Sequence, residues 1–201
     1  LIFFETFTDL YELKAALLAT KENSTLPILA SMSFEAGGRT FTGCTVESFA
    51  VTARGLGADA LGINCSLGPK EIFPMAKRLA EALPGEFPVF VKPNAGLPRA
   101  DGSGYDITPP LFAMQMKPYR TLNLFAAGGC CGTTPEFIRL LNGVFEGCKP
   151  GREAHRLPSV LCSPVDFVTV DGITVVGERI NPTGKKRFQQ ALREGDMNYI
   201  L

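Results

Sequence analysis

Two adjacent cysteines, Cys130 and Cys131, stand in a glycine-rich stretch, Gly128-Gly129-Cys130-Cys131-Gly132. Before them runs the apolar Leu124-Phe125-Ala126-Ala127, and after them Thr133-Thr134-Pro135-Glu136 has the marks of a helix start. Thr134 suits the cap, Pro135 the first helical position, and Glu136 the positive end of the helix dipole. A thiolate is both a nucleophile and a metal ligand. Neighbouring side chains on a strand point to opposite faces. Both thiols can therefore reach one ion only if the backbone turns sharply between them, and the flanking glycines permit such a turn.

Two cysteines do not complete a zinc site, which in catalytic form takes three protein ligands and keeps a fourth position open. The third candidate is Cys65 in Gly62-Ile63-Asn64-Cys65-Ser66, which closes another short strand-like run 65 residues before Cys130. In a parallel β/α architecture the carboxyl ends of all strands lie on one face. Cysteines at two such ends can meet there. The trio fits a catalytic zinc ion, a structural zinc ion, buried bystanders, or an iron–sulfur cluster, which needs a fourth cysteine. Cys44, Cys148 and Cys162 sit at no predicted strand end and read as bystanders.

The elements that would position these residues follow from the apolar pattern. Leu1 to Phe4 reads as a buried strand ended by Glu5-Thr6, and Thr8 or Asp9 caps a helix with Leu10, Leu13 and Leu17 on one face. Leu26 to Phe34 is the next strand, and Thr45 opens a helix carrying Val46, Phe49, Ala53 and Leu56. Ala60 to Asn64, Pro88 to Val91 and Leu122 to Ala126 are predicted strands, and Ile72 to Leu83 and Pro135 to Phe145 predicted helices. A polar loop from Lys92 to Ile107 precedes a helix begun by Thr108-Pro109. Roughly five βα units at a period of about 25 to 35 residues predict an α/β fold with a parallel sheet.

Lys149 to Asp171 breaks that period with Pro150, Gly151, Pro158 and Pro164, and reads as a linker. Ile173 to Val176 then opens a new strand, followed by Asn181-Pro182-Thr183-Gly184 and a helix over Lys185 to Glu194.

The 201 residues are 45% hydrophobic, with 20 basic and 20 acidic side chains. That balance gives no footprint for nucleic acid or an anionic membrane surface. No apolar run is long enough to span a bilayer, and no secretory signal is visible. The six cysteines are too sparse for a disulfide scaffold, and an adjacent pair fits a reduced, cytoplasmic setting. The chain opens directly on a strand without Met, so it reads as a fragment.

Gly62 to Ser66, Asn94-Ala95-Gly96-Leu97-Pro98 and Gly128 to Pro135 resemble the zinc-binding half of the homocysteine S-methyltransferase domain, in that family's order and at about its spacing. The tail, Ile173 to Gly184, resembles the start of the pterin-binding barrel that follows this domain in the cobalamin-dependent methionine synthase branch. The resemblance implies a (β/α)8 TIM barrel present in part, as about strands 4–8, followed by the first βα unit of a second barrel. It implies residues 1–148 as the homocysteine-binding zinc barrel, 149–172 as a linker, and 173–201 as the start of the methyltetrahydrofolate-binding barrel. Such a piece leaves two strand edges open and is expected to fold poorly and to be inactive alone.

The activity implied is methyl transfer to the sulfur of homocysteine, giving methionine. Cys65, Cys130 and Cys131 would hold zinc, and methylcobalamin, recharged from methyltetrahydrofolate, would be the donor on modules of the same or a partner chain. Zinc-bound thiols are deprotonated, so the ion would supply the nucleophilic thiolate. Glu5 would hold the substrate ammonium, as the matching glutamate does in the family; its other reading is a charge at a helix start. Asn94 would occupy the fourth zinc position or bond the substrate, unless it is a plain turn asparagine. Ser33 would line the pocket, Asn64 would orient a ligand, and Asn181 would contact the pterin, its other reading being a strand-to-helix turn. Phe137 stands where the family usually has histidine, and the single His155 falls in the linker. The rival readings are a stand-alone homocysteine methyltransferase using S-methylmethionine or betaine, and a non-catalytic corrinoid-associated zinc subunit.

Overall fold

The computed structural model describes residues 1–151, 159–175 and 181–200. Five βα repeats come first. They are β1 (Ile2–Phe7), α1 (Leu10–Asn23), β2 (Ile28–Met32), α2 (Val46–Gly55), β3 (Ala60–Asn64), α3 (Pro69–Glu81), β4 (Val89–Lys92), α4 (Pro109–Met116), a 3-10 helix (Lys117–Leu122), β5 (Ala126–Ala127) and α5 (Pro135–Phe145). Helix starts follow local chemistry. Asp9 accepts a hydrogen bond from the Glu12 amide and Thr45 one from Ser48, while α3, α4 and α5 begin on proline.

The five strands are all parallel and lie in the order β1-β2-β3-β4-β5. A doubly wound sheet reverses its order at a switch point. Here every crossover steps the same way, as in a barrel wall. The pleat then sorts the side chains. Ile28, Ala30, Met32, Leu61, Ile63, Val89 and Val91 join the buried core with Leu13, Leu17, Phe49, Ile72, Leu79 and Phe112 from the helices. Residues of the other parity, among them Phe3, Glu5, Ser31, Gly62, Asn64, Phe90 and Lys92, face the opposite side.

That opposite side is strongly concave. In a flat sheet β1 and β4 would be about 14 Å apart, three strand spacings. Instead the Phe3 and Phe90 ring centroids are 5.3 Å apart, edge to face, and the Lys92 ammonium lies 4.8 Å over the Phe3 ring. Gly62 allows this, because a Cβ there would fall 2.3 Å from the Phe90 ring. An α/β fold with a curled, sequentially ordered parallel sheet is consistent with a partial (β/α)8 barrel.

Glu5 and Thr6 do not end β1, which runs on through them to Phe7. The structure departs from the sequence reading in three further places. The strand expected over Leu122 to Ala126 is only Ala126–Ala127. Leu122 and Leu124 are buried from the 3-10 helix and the loop after it, and Asn123, at φ 45, breaks the extended path between them. The proposed linker carries a hairpin, β6 (Ser159–Cys162) and β7 (Phe167–Val170), closed by a Ser163-to-Asp166 turn. Its turn is hooked to α2 and the loop before it. Arg39 donates to the Val165 carbonyl at 2.8 Å and Ser48 to that of Asp166 at 3.1 Å. With α2 and α3 the hairpin borders an open cleft of about 730 Å³, lined by Val51, Arg54, Arg78, Val160 and Phe167 among others. Third, the described part of the expected tail strand, Ile173 to Val175, is irregular, with Ile173 99% exposed.

The chain divides into compact units over 1–169 and 170–201. The second contains α6 (Lys186–Glu194), close to its predicted bounds, and a short α7 (Met197–Ile200). Phe188 and Ala191 are its buried residues, and Gly195 ends α6 at φ 68. His155 and the whole Val176-to-Ile180 stretch singled out in the sequence lie outside the described residues. Among those described, no helix is long and apolar enough to cross a membrane.

Candidate metal centre

The three cysteines follow two strands, β3 and β5, that flank β4 in the sheet. Cys65 directly follows β3, and its amide donates to the carbonyl of Lys92, the last residue of β4. Cys65 and Ser66 both adopt left-handed backbone, at φ 64 and 57. Side chains rarely take that conformation, at a cost of about 1–3 kcal/mol each. The reversal turns the Cys65 sulfur back over the strand ends. Ser66 is anchored through its hydroxyl to Ser33 Oγ at 2.5 Å, and Ser33 is buried.

The double-cysteine turn is bound chiefly to the strand beside it. Gly128 donates to Val91, Cys130 to the Pro93 carbonyl, and Ala95 to the carbonyl of Cys131. Asn94 Oδ1 accepts the Cys131 amide at 3.0 Å. Thr133 closes the turn, its amide and hydroxyl both donating to the Cys130 carbonyl. Gly132, directly after the pair, takes φ 78, a left-handed conformation that glycine adopts without steric cost. Asn94 thus holds the turn through the oxygen expected for zinc or substrate.

The sulfurs of Cys65, Cys130 and Cys131 all lie within 4.8 Å of one another. Cys65 and Cys131 are 3.6 Å apart. Zinc–sulfur bonds of about 2.3 Å at tetrahedral angles place two sulfurs about 3.8 Å apart, whereas a disulfide needs about 2.05 Å. The spacing therefore fits thiolates around one ion. Among the described residues this is the sole group of three or more His, Cys, Asp or Glu donors so arranged. Burial, and then the neighbouring Cys65 and Cys131 sulfurs, push the Cys130 thiol up to about 11. Three thiols so close resist ionising together unless a cation compensates.

Asn64, last in β3, is fully buried beside them. Its Nδ2 donates to Thr6 Oγ1 at 2.6 Å and approaches Cys130 Sγ at 3.8 Å. Its Oδ1 is a buried acceptor without a partner among the described residues. On the same concave side Glu5, inside β1, forms an ion pair with Lys92.

Lys92, Thr6 and Tyr105 were not singled out from sequence. The strand alternation that places Phe90 inward also places Lys92 there, which was the available signal. The Lys92-to-Ile107 loop folds back as a ribbon, through Asp106 to Leu97, Ile107 to Ala95 and a Pro98–Tyr105 bridge. It brings the Tyr105 ring onto Gly132, where a Cβ would fall 2.3 Å from ring atoms. Burial first, then the neighbouring Cys131 sulfur, raise the Tyr105 phenol pKa.

The remaining sites separate from this centre. Cys44 is buried in the core, donating to the Thr45 carbonyl, and burial raises its pKa to about 12. Cys162 lies on the hairpin against Thr52, and Cys148 follows α5. Phe137 packs edge-on against Phe112 at 5.4 Å, as a core contact between α5 and α4. In the second unit Asn181 Oδ1 accepts the Thr183 amide at 2.8 Å, the geometry of a turn.

Residues 1–145 match the family described as homocysteine S-methyltransferase. The methionine synthase of Mycobacterium tuberculosis (strain ATCC 25618 / H37Rv) is 34% identical over 211 aligned residues, covering 100% of this chain. That of Mycobacterium leprae (strain TN) is 32% identical over 213, covering 98%. The chain spans only 18% of the length of either relative.

Proposed function

Because the chain belongs to the homocysteine S-methyltransferase family, we propose that it forms the zinc-bearing part of an enzyme that methylates homocysteine sulfur to give methionine. The observation that carries this reading is the meeting of Cys65, Cys130 and Cys131 within 4.8 Å at the ends of parallel strands. A zinc ion held there would keep a substrate thiol as thiolate at neutral pH.

The chain's own residues supply the rest. Asn64 donates toward the Cys130 sulfur and steadies a negative charge there. Asn94 and Thr133 fix the turn that aims Cys130 and Cys131 together. Glu5 and the unpartnered Asn64 Oδ1 offer acceptors to the substrate ammonium on the concave side. Lys92 now neutralises Glu5, and would be left for the substrate carboxylate once an ammonium takes the Glu5 pair. Ser33 reaches this region through Ser66.

Residues 1–148 are read as the C-terminal part, about strands 4–8, of the homocysteine barrel, 149–172 as a connection, and 173–201 as the start of a pterin-binding barrel. The methionine synthase matches run through the tail, beyond the family match at residue 145, which favours this over a stand-alone enzyme. Methylcobalamin and methyltetrahydrofolate would then act on other modules, in the cytoplasm, with Asn181 near the pterin. X-ray absorption of the zinc-loaded intact protein tests the reading. One additional zinc–sulfur contact on adding homocysteine is expected, and an unchanged sulfur shell would refute it.

A further inference from the structure

We propose that Ser33 is a positioning residue for Cys65, pinning the strained turn that aims this thiolate at the metal. This rests on the reading of the three cysteines as a metal centre. Cys65 and Ser66 are consecutive non-glycine residues in left-handed backbone, at φ 64 and 57. Such residues persist only where the surrounding structure over-determines them. The Leu67 amide closes the turn on the Cys65 carbonyl at 2.7 Å. From the β4 side, the Lys92 carbonyl accepts the Cys65 amide at 3.1 Å, and the Asn94 amide donates to the Leu67 carbonyl at 2.9 Å. These bonds hold the two ends of the turn, Cys65 and Leu67, with Ser66 between them.

Ser66 itself is held from the opposite side of β3, where β2 lies. Its hydroxyl is 2.5 Å from that of Ser33, the residue directly after β2. Ser33 has little freedom to follow if the turn moves. It is 4% exposed, and its amide donates to the carbonyl of Phe7, the last residue of β1, at 2.8 Å. The hydroxyl pair therefore ties the turn to the ends of two strands that supply no cysteine. Without it, the turn is free to relax from left-handed backbone and carry the Cys65 sulfur away from that of Cys131, now 3.6 Å from it. A site assembled only part of the time binds its ion more weakly in proportion to that fraction. This role acts on the ion, whereas a residue lining the pocket would act on the substrate.

The test uses three variants of the intact protein: Ser33→Ala, Ser66→Ala, which breaks the same bond from its less buried side, and Ser33→Ala combined with Ser66→Gly. Glycine takes left-handed backbone without steric cost, so it makes the bond dispensable. Two readouts are taken: zinc affinity by competition with a chelator, and iodoacetamide labelling of Cys65 against Cys130 in the zinc-free protein. Zinc affinity about 10-fold weaker is expected in each alanine variant, the turn then being assembled about one-tenth of the time. Cys65 labelling should rise several-fold in both, with Cys130 unchanged. Adding Ser66→Gly to Ser33→Ala should return both readouts to near wild-type values. Wild-type values in the alanine variants would overturn the proposal, and so would a loss that Ser66→Gly does not rescue, which marks general loosening. A raised KM for homocysteine at unchanged zinc affinity would also overturn it, by placing Ser33 against the substrate. If wild-type protein takes up no zinc but the labelling pattern and its rescue hold, the metal reading fails and the role of Ser33 stands.

Discussion

The sulfurs of Cys65 and Cys131 stand 3.6 Å apart across 66 residues of sequence. Backbone bonds between strand ends create this closeness. The Cys65 amide is tied to Lys92, the Cys130 amide to Pro93, and the Cys131 amide to Asn94, so the end of β4 and the two residues after it are the common ruler for both cysteine turns. Substitutions that disturb the ruler should act on the metal before they act on the fold.

Gly132→Ala should weaken the site most sharply for its size. The position is at φ 78, and a Cβ would strike the Tyr105 ring at 2.3 Å. Backbone strain alone costs about 1–3 kcal/mol. An unfolding free energy lowered by that amount in urea titrations, together with reduced zinc content, is the expected outcome.

Asn64→Leu keeps the shape of a buried side chain but removes the donor shared by Thr6 and Cys130. Zinc affinity should fall about 10-fold or more. Competition with a chromophoric chelator measures this directly.

Glu5→Gln separates substrate binding from stability. The Glu5–Lys92 pair is partly exposed, so its loss should change stability by no more than about 1 kcal/mol. If Glu5 holds the substrate ammonium, KM for homocysteine in the intact enzyme should rise by about 10-fold, from the loss of a charged hydrogen bond. Steady-state kinetics with unchanged KM would leave Glu5 as a structural charge.

The Glu47–Arg78 pair gives a pH-dependent prediction away from the metal. Burial of Glu47 would raise its pKa, but two hydrogen bonds from Arg78, at 2.7 and 2.6 Å, outweigh that and hold the carboxyl below its ordinary 4.5. A depressed folded value contributes stability above 4.5 that is lost as pH falls through it. Glu47→Gln should therefore cost about 1 kcal/mol at neutral pH, Arg78 being partly exposed, and the difference should close below pH 4.5. Urea titrations of both proteins across that range check the sign.

The legible features were those encoded in neighbouring residues. β3 and α5 lie on their predicted bounds because Ala60 to Asn64 is a clean buried run and Pro135 to Phe145 has a start signal and a helical face. The cysteine trio was legible because each member ends a strand-like run beside glycines or a turn. β5 was not, since the alternation of Leu122, Leu124 and Ala126 is equally satisfied by a 3-10 helix and a loop. The β6–β7 hairpin was hidden among prolines, its docking set by Arg39 and Ser48 more than 110 residues away. Tyr105 was invisible for the same reason: only the folded ribbon brings it onto Gly132, beside the cysteine pair.

The most direct measurement is the zinc content of the intact protein beside Cys65→Ser and Cys130→Ser, with and without homocysteine. The account predicts about one zinc per chain, lost from both variants, and a new zinc–sulfur contact when homocysteine is added. Zinc retained by Cys65→Ser would contradict it, because the ion would then be held without the strand end that brings the three sulfurs together.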